Sequence, residues 1–377
     1  MKELNEIVKA YDKAILQNKQ TALVTVVKVD GSSYRRPGAR MLVTDDGKIT
    51  GAISGGCLEG DALQKALFAM ATGENKMISY DSTGEDDIQY GLHLGCNGVV
   101  HILFEPIKKD DPQNPVELLR LILHAGESII LVTLFSMKKI QPGTRLLYLK
   151  NTVHSSLPGH LQGLMNEAVQ NAYAEKQSSF QDVVIEQTNC TAFIEYIEPP
   201  VSLVIAGAGN DIQPLVEMAV MLGWLVTVVD GRAQYALPER FPGASKVMYS
   251  KPADILSRIK TDCGTVFLLM SHNYNYDLGF LSQIAKKEFG YIGLLGPAQK
   301  RDRILSDLQD QGVRLSEEQL SKIYGPTGLD IGAENSTEIA LSIIAEVKAF
   351  LSGRTGSSLK LKKESIHSRA INHLHHE

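Results

Sequence analysis

The chain has 377 residues, a length that predicts roughly two or three domains, each large enough to bury a core. Hydrophobic residues make up 44% of the sequence and charged residues 21%, which is typical of a globular protein and excludes a largely disordered one. The formal net charge of −5 gives no overall positive field that would draw the molecule onto nucleic acid or an anionic membrane.

The apolar segments argue against membrane insertion and secretion. The longest ones, such as 128–135 and 201–208, are far shorter than the roughly 18 to 20 residues that a membrane span needs. Glu3, Glu6 and Asp12 interrupt the stretch where a secretory signal would have its apolar core. We therefore expect a soluble, cytoplasmic protein.

A faint internal repeat is visible in the first half of the chain. Three segments resemble three later ones in the same order and at a nearly constant offset: 16–27 with 123–135, 37–43 with 142–148, and 63–67 with 169–173. The repeat predicts two related α+β lobes, 1–110 and 111–197, with a coincidence of common strand patterns as the alternative. The unusual residues lie only in the first lobe, so we expect that lobe to carry the chemistry and the second to be structural.

After Pro199 and Pro200 the pattern changes to alternating strands and helices. Strands are predicted at 203–206, 225–230, 265–270 and 291–295, with helices near 211–222, 252–260, 277–288 and 298–311. This alternation predicts an α/β domain over 198–352, with a doubly wound parallel sheet of the Rossmann kind. Asn335 and Glu338 predict a capping box at the start of the last helix. We expect 353–377 to be a solvated basic tail, with a metal site at its histidines as the alternative.

A glycine motif follows the first strand of this domain. Gly207 and Gly209 lie between a predicted strand and a predicted helix, and Asp230 ends the next strand, where a ligand for ribose hydroxyls is expected. However, Ile212 replaces the third glycine of the dinucleotide fingerprint, and Asp211 adds negative charge at the helix N-terminus. Two alternatives stay open: a nucleotide site, and a Rossmann domain that binds no NAD(P), in which Asp211 caps its own helix.

An arginine-rich loop lies in the first lobe. Ser33, Arg35, Arg36 and Arg40 fall within ten residues of Gly31. A guanidinium presents a planar fork that suits phosphate oxygens, so the loop is a candidate grip for a phosphate or a pterin edge. The alternative is a solvated loop in which Arg40 begins a strand.

A glycine-flanked cysteine follows in the same lobe. Gly55, Gly56 and Cys57 precede a predicted helix, so the Cys57 sulfur is expected near backbone N–H groups and the positive helix end, which stabilise a thiolate. Such a thiol would bind a soft metal or carry sulfur. The alternative is a small buried hydrophobic side chain.

The number and spacing of the cysteines limit what they can do. Four cysteines are too few for a disulfide scaffold and none forms a C-x-x-C pair, so any cysteine function rests on single thiols. Cys96 is a second glycine-flanked thiol in the first lobe, which favours a pocket shared with Cys57. Cys190 and Cys263 are expected to be structural.

Three loops of the second domain are predicted at the rim of its sheet. His272, Tyr274 and Asp277 follow the third strand, where they could hydrogen-bond to a ligand or transfer protons; the alternative is a polar turn with Asp277 as a helix cap. Lys300 lies at the start of a helix, where a cation opposes the dipole and is better explained by an anionic ligand. A glycine-rich loop at 325–334 leads into the last helix.

Six motifs together point to one protein family, although no single motif would suffice. They are SSYRRPGAR at 32–40, SGGCLE at 54–59, LGCNG at 94–98, SHNYNYD at 271–277, YIGLLGP at 291–297 and GLDIGAE at 328–334. Together they resemble the XdhC/CoxI family, accessory proteins for the maturation of xanthine dehydrogenase and related molybdenum hydroxylases. The chain departs from the family's usual pattern at Ser54, where a third glycine is common, and at Asn97, where Gly-Cys-Gly-Gly is common.

The resemblance implies an N-terminal XdhC/CoxI domain and a C-terminal Rossmann domain. It also implies that the chain binds and protects molybdenum cofactor and helps to deliver the sulfurated form to the apoenzyme. The implied partners are an apo xanthine dehydrogenase or related molybdenum hydroxylase, a cysteine desulfurase and cofactor-synthesis enzymes.

The residues and the resemblance lead to one hypothesis. Molybdenum cofactor joins a soft metal, sulfur ligands, a molybdopterin and a phosphate, extended in some forms to a dinucleotide. We expect Cys57, with Cys96, to face the molybdenum or its sulfur while Arg35, Arg36 and Arg40 hold the phosphate. The crevice near Gly207, Gly209 and Asp230, with His272, Tyr274 and Lys300 at its rim, would take a nucleotide portion, so this hypothesis needs both regions to meet at one crevice.

Two functions of other classes stay open. One is an NAD(P)-dependent oxidoreductase in which His272 or Tyr274 relays a proton, and the other is a non-catalytic regulatory scaffold of the hydroxylase. We expect a cofactor-binding chaperone rather than a catalyst, and the sequence leaves the oligomeric state open, a homo-oligomer included.

Overall fold

The computed structural model describes residues 1–31, 33–81, 98–138, 141–150, 152–185 and 187–362. Cys96 and the histidines after Ser365 lie outside the described residues. The chain divides into two compact units, Met1–Pro199 and Pro200–Glu377.

The first unit opens with a helix and a five-stranded antiparallel sheet. The elements are α1 (Lys2–Leu16), β1 (Thr21–Gly31), β2 (Arg40–Thr44), β3 (Ile49–Gly51), α2 (Glu59–Thr72), β4 (Lys76–Asp81) and β5 (Gly98–Pro106). The strand order in the sheet is β3-β2-β1-β5-β4.

A second five-stranded sheet follows in the same unit. Its elements are α3 (Pro115–Ala125), β6 (Ile129–Phe135), β7 (Gly143–Leu149), β8 (Thr152–Ser155), α4 (Gly159–Gly163), α5 (Asn166–Glu175), β9 (Ser179–Ile185) and β10 (Thr188–Ile197). The order β8-β7-β6-β10-β9 repeats that of the first sheet. The division into lobes 1–110 and 111–197 stays a prediction, which the shared strand order supports.

The core of the first unit explains its continuous apolar runs. Central strand β1 is buried along residues 21–27, with its alternate side chains in different clusters. On one face, Val24 and Val26 pack with the alanines of α2, and on the other, Leu23 packs with α1, α3 and the second sheet. Both faces of β1 are therefore covered, which removes the polar alternation of a half-exposed strand.

The second unit is a parallel α/β sheet. Its elements are β11 (Ser202–Ala206), α6 (Gln213–Met221), β12 (Leu225–Asp230), β13 (Lys246–Tyr249), α7 (Ile255–Arg258), β14 (Val266–Leu269), α8 (Tyr274–Ile284), β15 (Tyr291–Leu294), α9 (Ala298–Asp310), α10 (Glu317–Ser321), β16 (Ile323–Tyr324) and α11 (Ser336–Leu351). The order is β13-β12-β11-β14-β15-β16, with every pair parallel.

This topology confirms the predicted doubly wound α/β fold. Separate apolar clusters cover the two faces of the sheet. The predicted capping box is also present, since Asn335 accepts the N–H of Glu338 and the Glu338 side chain accepts the N–H of Asn335. The strand order reverses between β11 and β14, so the loops that follow these two strands flank the position where such sheets bind ligands.

Within the described part of the chain, we find no helix with the length and apolar character needed to cross a bilayer.

Candidate functional site

Cys57 lies in the loop between β3 and α2, and it is exposed. The alternative of a buried hydrophobic side chain is therefore wrong for this residue. Gly56 beside it has a φ of +111°, in the region that glycine adopts without strain, and a Cβ there would meet no atom within 4 Å. The loop thus presents the thiol on an open surface.

The hydroxyl of Ser54 holds this loop in shape. The N–H groups of Gly56 and Leu58 each donate to Ser54 Oγ at 3.1 Å. The Ser54 hydroxyl donates to the carboxylate of Glu59, which also accepts the Ser54 N–H at 2.8 Å and the Ile53 N–H at 3.2 Å. Burial alone would raise the pKa of Glu59, but these hydrogen bonds hold it below its ordinary value. An anionic Glu59 therefore organises the loop, and the Cys57 Sγ lies 3.7 Å from Ser54 Oγ.

The loop that carries the arginines contacts the Cys57 loop. The Arg35 guanidinium donates to the Glu3 carboxylate and, at 3.1 Å, to the carbonyl oxygen of Ala52. A Cβ on Gly55 would lie 3.5 Å from the ring of Tyr34, whose side chain is 67% exposed. The structure therefore brings these two predicted segments together in the first unit.

The donors of this loop differ in their surroundings. Arg35 Nε is buried without a hydrogen-bond partner among the described residues. Arg36 is exposed and Ser33 is half-buried. The Nε of Arg40 is buried without such a partner as well, so the feature that sets Arg36 apart in this loop is its exposure.

Arg40 lies in a different environment. It begins β2, as the alternative interpretation expected, but it is 2% exposed rather than solvated. Its guanidinium donates to the Gly38 carbonyl at 2.8 Å and to both carboxylate oxygens of Glu195 on β10, one of them at 3.1 Å. Arg40 thus joins the two sheets, with its charge paired inside the unit.

In the second unit, the glycine turn after β11 is tightly packed. Gly207 has a φ of +124°, and a Cβ there would lie 2.3 Å from the carbonyl oxygen of Met270. Its N–H donates to the carbonyl of Val229 at 2.7 Å. The guanidinium of Arg240 donates to the Ala208 carbonyl at 2.6 Å. The position needs glycine because β11 and β14 approach each other there.

Asp211 does not cap its helix, so that part of the alternative is wrong, and the absence of NAD(P) binding stays a prediction. The 3-10 turn at 210–212 and the helix α6 that follows it both begin without a side-chain cap. The Asp211 carboxylate lies 2.8 Å from Nε2 of His272, and its Oδ1 would be 2.2 Å from a Cβ on Gly209. The side chain thus folds back over the glycine turn and pairs with the loop after β14. The His272 side chain is 61% exposed, and its φ is +55°.

Asp230 is buried at the end of β12, and its carboxylate accepts hydrogen bonds from two residues. The Ala208 N–H donates to Oδ2 at 2.7 Å, and the Arg232 N–H donates to Oδ1 at 2.8 Å. The Arg232 guanidinium adds two bonds, at 2.9 Å and 2.8 Å. Burial alone would raise the pKa of Asp230, but Arg232 and the backbone N–H groups hold it below its ordinary value.

Lys300 is paired inside the second unit. Its ammonium donates to Asp277 Oδ2 at 2.7 Å and to the Leu295 carbonyl at 3.0 Å. Asp277 is fully buried and does not cap α8, because the side chain of Asn273 accepts the N–H that a cap would take. The alternative in which Asp277 caps the helix is therefore wrong.

Tyr274 packs between two helices. Its hydroxyl donates to Asp307 on α9 at 2.6 Å, and the guanidinium of Arg303 lies 4.8 Å from its ring centroid. Burial and the bond to Asp307 raise its pKa. The cofactor-binding roles of Tyr274, His272 and Lys300 stay predictions, as does the meeting of the two units at one crevice.

The remaining cysteines differ from each other. Cys190 is buried, as expected for a structural residue, and burial raises the pKa of its thiol. Cys263 is exposed, so burial does not support the structural role that was expected for it. No group of three or more His, Cys, Asp or Glu side chains is placed to hold a metal ion within the ranges that the structure describes.

Several residues of these sites were missed in the sequence. Glu59 follows Cys57 by two positions and begins α2. Acidic residues are typical of the first turn of a helix, so the sequence could have pointed to a role for Glu59 at this helix start. Arg232 follows Asp230 by two positions, and only its contacts in the folded chain reveal its function. Arg240 and Glu195 carry no local signal, because their partners are distant in the sequence.

The fold and the Cys57 loop define a class of two-unit protein. Its first unit has two antiparallel sheets and an exposed thiol that follows two glycines, and its second unit has the Rossmann fold. Two family models match the chain: the model of the XdhC and CoxI family matches residues 14–81, and the model of the XdhC Rossmann domain matches residues 203–347.

Named relatives extend the likeness over most of the chain. The chain is 32% identical over 335 residues to a probable xanthine dehydrogenase subunit of Bacillus subtilis (strain 168), covering 89% of this chain and 94% of the relative. It is 25% identical over 335 residues to the molybdenum cofactor insertion chaperone PaoD of Escherichia coli (strain K12), covering 89% and 85%. A crystal structure described as a xanthine dehydrogenase from Bacillus halodurans matches with a TM-score of 0.74 and 28% identity, covering 94% and 98%. The chain therefore belongs to the XdhC and CoxI family.

Proposed function

We propose that this chain is an accessory protein for the maturation of xanthine dehydrogenase-type molybdenum hydroxylases, which binds molybdenum cofactor as cargo and assists its sulfuration and insertion. The observation that carries this proposal is the exposed Cys57, on a loop shaped by Ser54 and Glu59 and in contact with the arginine loop. The 25% identity to a cofactor insertion chaperone over most of both chains supports it.

The chemistry of the loop suits this cargo. A thiolate is a preferred ligand of soft metals and of their sulfur, and Cys57 is open to solvent. A guanidinium fork binds phosphate oxygens, and the side chains of Arg35, 30% exposed, and of Arg36, which is exposed, are open to a ligand. The exposed ring of Tyr34 offers a flat apolar face for a pterin beside Gly55. Cys57 would face the metal or its sulfur while Arg35 and Arg36 hold the phosphate.

Two groups of residues are left out of this grip for physical reasons. The guanidinium of Arg40 is paired with Glu195 in the core and its side chain is 2% exposed, so a phosphate cannot reach it, whereas the side chain of Arg35, although paired with Glu3, is 30% exposed. No part of the cofactor is assigned to the glycine turn of the second unit, because Asp211 and Arg240 already contact that turn. The proposed site therefore consists of residues of the first unit.

The thiol could act in two ways, and each requires a partner. As a ligand, Cys57 would hold the cofactor until an apo hydroxylase takes it. As a sulfur carrier, the Cys57 thiolate would attack the outer sulfur of a persulfide on a cysteine desulfurase, so that a new S–S bond forms on Cys57, the S–S bond of the desulfurase breaks and its cysteine leaves as a thiolate. In both cases the cofactor-synthesis enzymes supply the cargo.

The proposal is tested by cofactor retention. Purified protein is mixed with cofactor released from a molybdenum hydroxylase and desalted, and the bound pterin is measured by its fluorescence after oxidation. We expect Cys57→Ala to lower the affinity by about tenfold or more, which corresponds to about 1.4 kcal/mol. Cys263→Ala is the matched control, because it removes another exposed thiol and should bind like the wild type. Equal retention by Cys57→Ala and the wild type would remove the thiol from the proposal.

A second measurement separates the two actions of the thiol. The protein is incubated with a cysteine desulfurase and cysteine, and the peptide that contains Cys57 is examined by mass spectrometry. A gain of one sulfur atom on Cys57, absent on Cys263, indicates a sulfur carrier. Retention of cofactor without any such gain indicates a ligand.

A further inference from the structure

The glycine turn of the second unit already carries an anion. In a dinucleotide-binding Rossmann domain, the pyrophosphate lies over this turn, against the N-terminus of the helix that follows. Here the Asp211 carboxylate is folded back over Gly209, with its Oδ1 2.2 Å from where a Cβ would be. Nε2 of His272, from the loop after β14, lies 2.8 Å from Oδ2 of the same carboxylate. An internal carboxylate thus lies where a bound pyrophosphate would need to be.

The acidic residue at the end of β12 is occupied as well. In an NAD-binding domain this carboxylate accepts hydrogen bonds from the ribose hydroxyls. Asp230 already accepts hydrogen bonds from the N–H of Ala208, from the N–H of Arg232 and from two guanidinium nitrogens of Arg232. Two carboxylate oxygens offer about four acceptor positions, so a ribose diol finds none free. Arg232 thus takes the place of the diol.

We propose that Asp211 and Arg232 are specificity-determining residues that occupy, with their own charged groups, the positions of the pyrophosphate and the ribose hydroxyls. The Rossmann unit excludes NAD through both residues. It excludes NADP through Asp211 alone, because the Arg232 guanidinium would attract a 2′-phosphate: the side chain is 44% exposed, and its Cζ lies 4.1 Å from the ring centroid of Tyr235.

The proposal predicts how the affinities for NAD and NADP change when Asp211 alone, and then both residues, are replaced. NAD and NADP are titrated into the full-length protein by calorimetry, with thermal unfolding as a check that each variant is folded. We expect no saturable binding of either dinucleotide by the wild type. Asp211→Ala should bind NADP more tightly than NAD, by about tenfold. The double variant, Asp211→Ala with Arg232→Ala, should reverse this preference because Asp230 is then free to accept the diol.

Controls keep the test decisive. Asp302→Ala removes an exposed acid elsewhere in the same unit and should bind neither dinucleotide. If Asp211→Ala does not fold, Asp211→Asn removes the charge and keeps the shape, and Arg232→Gln serves in the same way at Arg232. Saturable binding of NAD by the wild type would overturn the proposal. So would folded variants that bind no better than the wild type, or a double variant that still prefers NADP. The readout does not involve Cys57 or molybdenum cofactor, so this inference and the proposed function stand or fall separately.

Discussion

The carboxylate of Glu195 lies directly against the backbone of Gly38, such that a Cβ atom added to Gly38 would be 2.3 Å from Glu195 Oε1. Glu195 belongs to β10 and Gly38 comes just before β2, so the contact joins the two sheets of the first unit. The first sheet contacts the second in the same manner. Oε1 of Glu105, on β5, lies 2.4 Å from where a Cβ on Gly143 would be, at the start of β7. Each sheet thus places a glutamate on a glycine of the other.

Removing Glu195 should destabilise the first unit strongly. Glu195→Ala leaves the Arg40 guanidinium buried without its carboxylate, which costs about 3 to 5 kcal/mol for a broken buried pair. Glu198→Ala, an exposed acid three residues later, should change the free energy of unfolding by less than about 0.5 kcal/mol. Urea unfolding measures both. A similar small effect for the two variants would show that Arg40 has no need of Glu195.

Gly143 should tolerate alanine less well than another glycine of positive φ. Gly126→Ala, at a φ of +64° with no atom within 4 Å of the new Cβ, should cost only the backbone strain of about 1 to 2 kcal/mol. Gly143→Ala, at a φ of +91°, also forces Glu105 and Asn75 to move, which adds about 1 to 3 kcal/mol. Thermal or urea unfolding compares the two. Equal losses would mean that the Glu105 contact relaxes freely.

Lys300 should matter for folding before any ligand is considered. Lys300→Met keeps the aliphatic stem but leaves the buried Asp277 carboxylate without its cation, at a cost of about 3 to 5 kcal/mol. Lys287→Met, an exposed position after α8, is the control and should have little effect. The free energy of unfolding of the ligand-free protein decides the matter. A wild-type value for Lys300→Met would favour the anionic-ligand function that the sequence suggested.

The Glu59 carboxylate predicts a pH-dependent stability of the Cys57 loop. In the folded protein the pKa of Glu59 is held below its ordinary value of 4.5. The contribution of Glu59 to the free energy of unfolding is therefore fully present above pH 4.5, and it is lost as the pH falls through the pKa of the folded state. The wild type should therefore exceed Glu59→Gln in stability at pH 7, and the difference should shrink in acid. Unfolding free energies measured from neutral to acid pH test this. A difference that grows in acid would contradict the sign of the shift.

The cysteines should separate by reactivity in the native protein. Iodoacetamide should modify Cys57 and Cys263, which are exposed, well before Cys190, which is buried and has a raised thiol pKa. Peptide mass spectrometry after timed labelling reads each site, and labelling in urea is the control in which Cys190 should react as well. Early modification of Cys190 would contradict its burial.

Much of the second unit was predictable because its signals are local. The alternation of short apolar runs with helical segments identified β11, β12, β14 and β15 close to their observed bounds. β16 was missed because two residues are too few to show a period, and β13 was missed because its segment KVMY offers an apolar run of only three residues after a lysine. Asp277 was weighed as a helix cap because Asp and Asn both favour that position, and only the folded chain shows that Asn273 accepts the Tyr276 N–H while Asp277 pairs with Lys300.

The sequence by itself determined the elements, the glycine turn after β11 and the position of Cys57 before a helix, since periodicity, turn chemistry and capping involve residues only a few positions apart. The tertiary structure alone decided which charges are paired. Arg40 and Glu195 are 155 positions apart, and Asp211 and His272 are 61 apart. Such partners meet only when particular strands become neighbours, and the free energy of burying a charge then depends on that neighbour rather than on any local pattern.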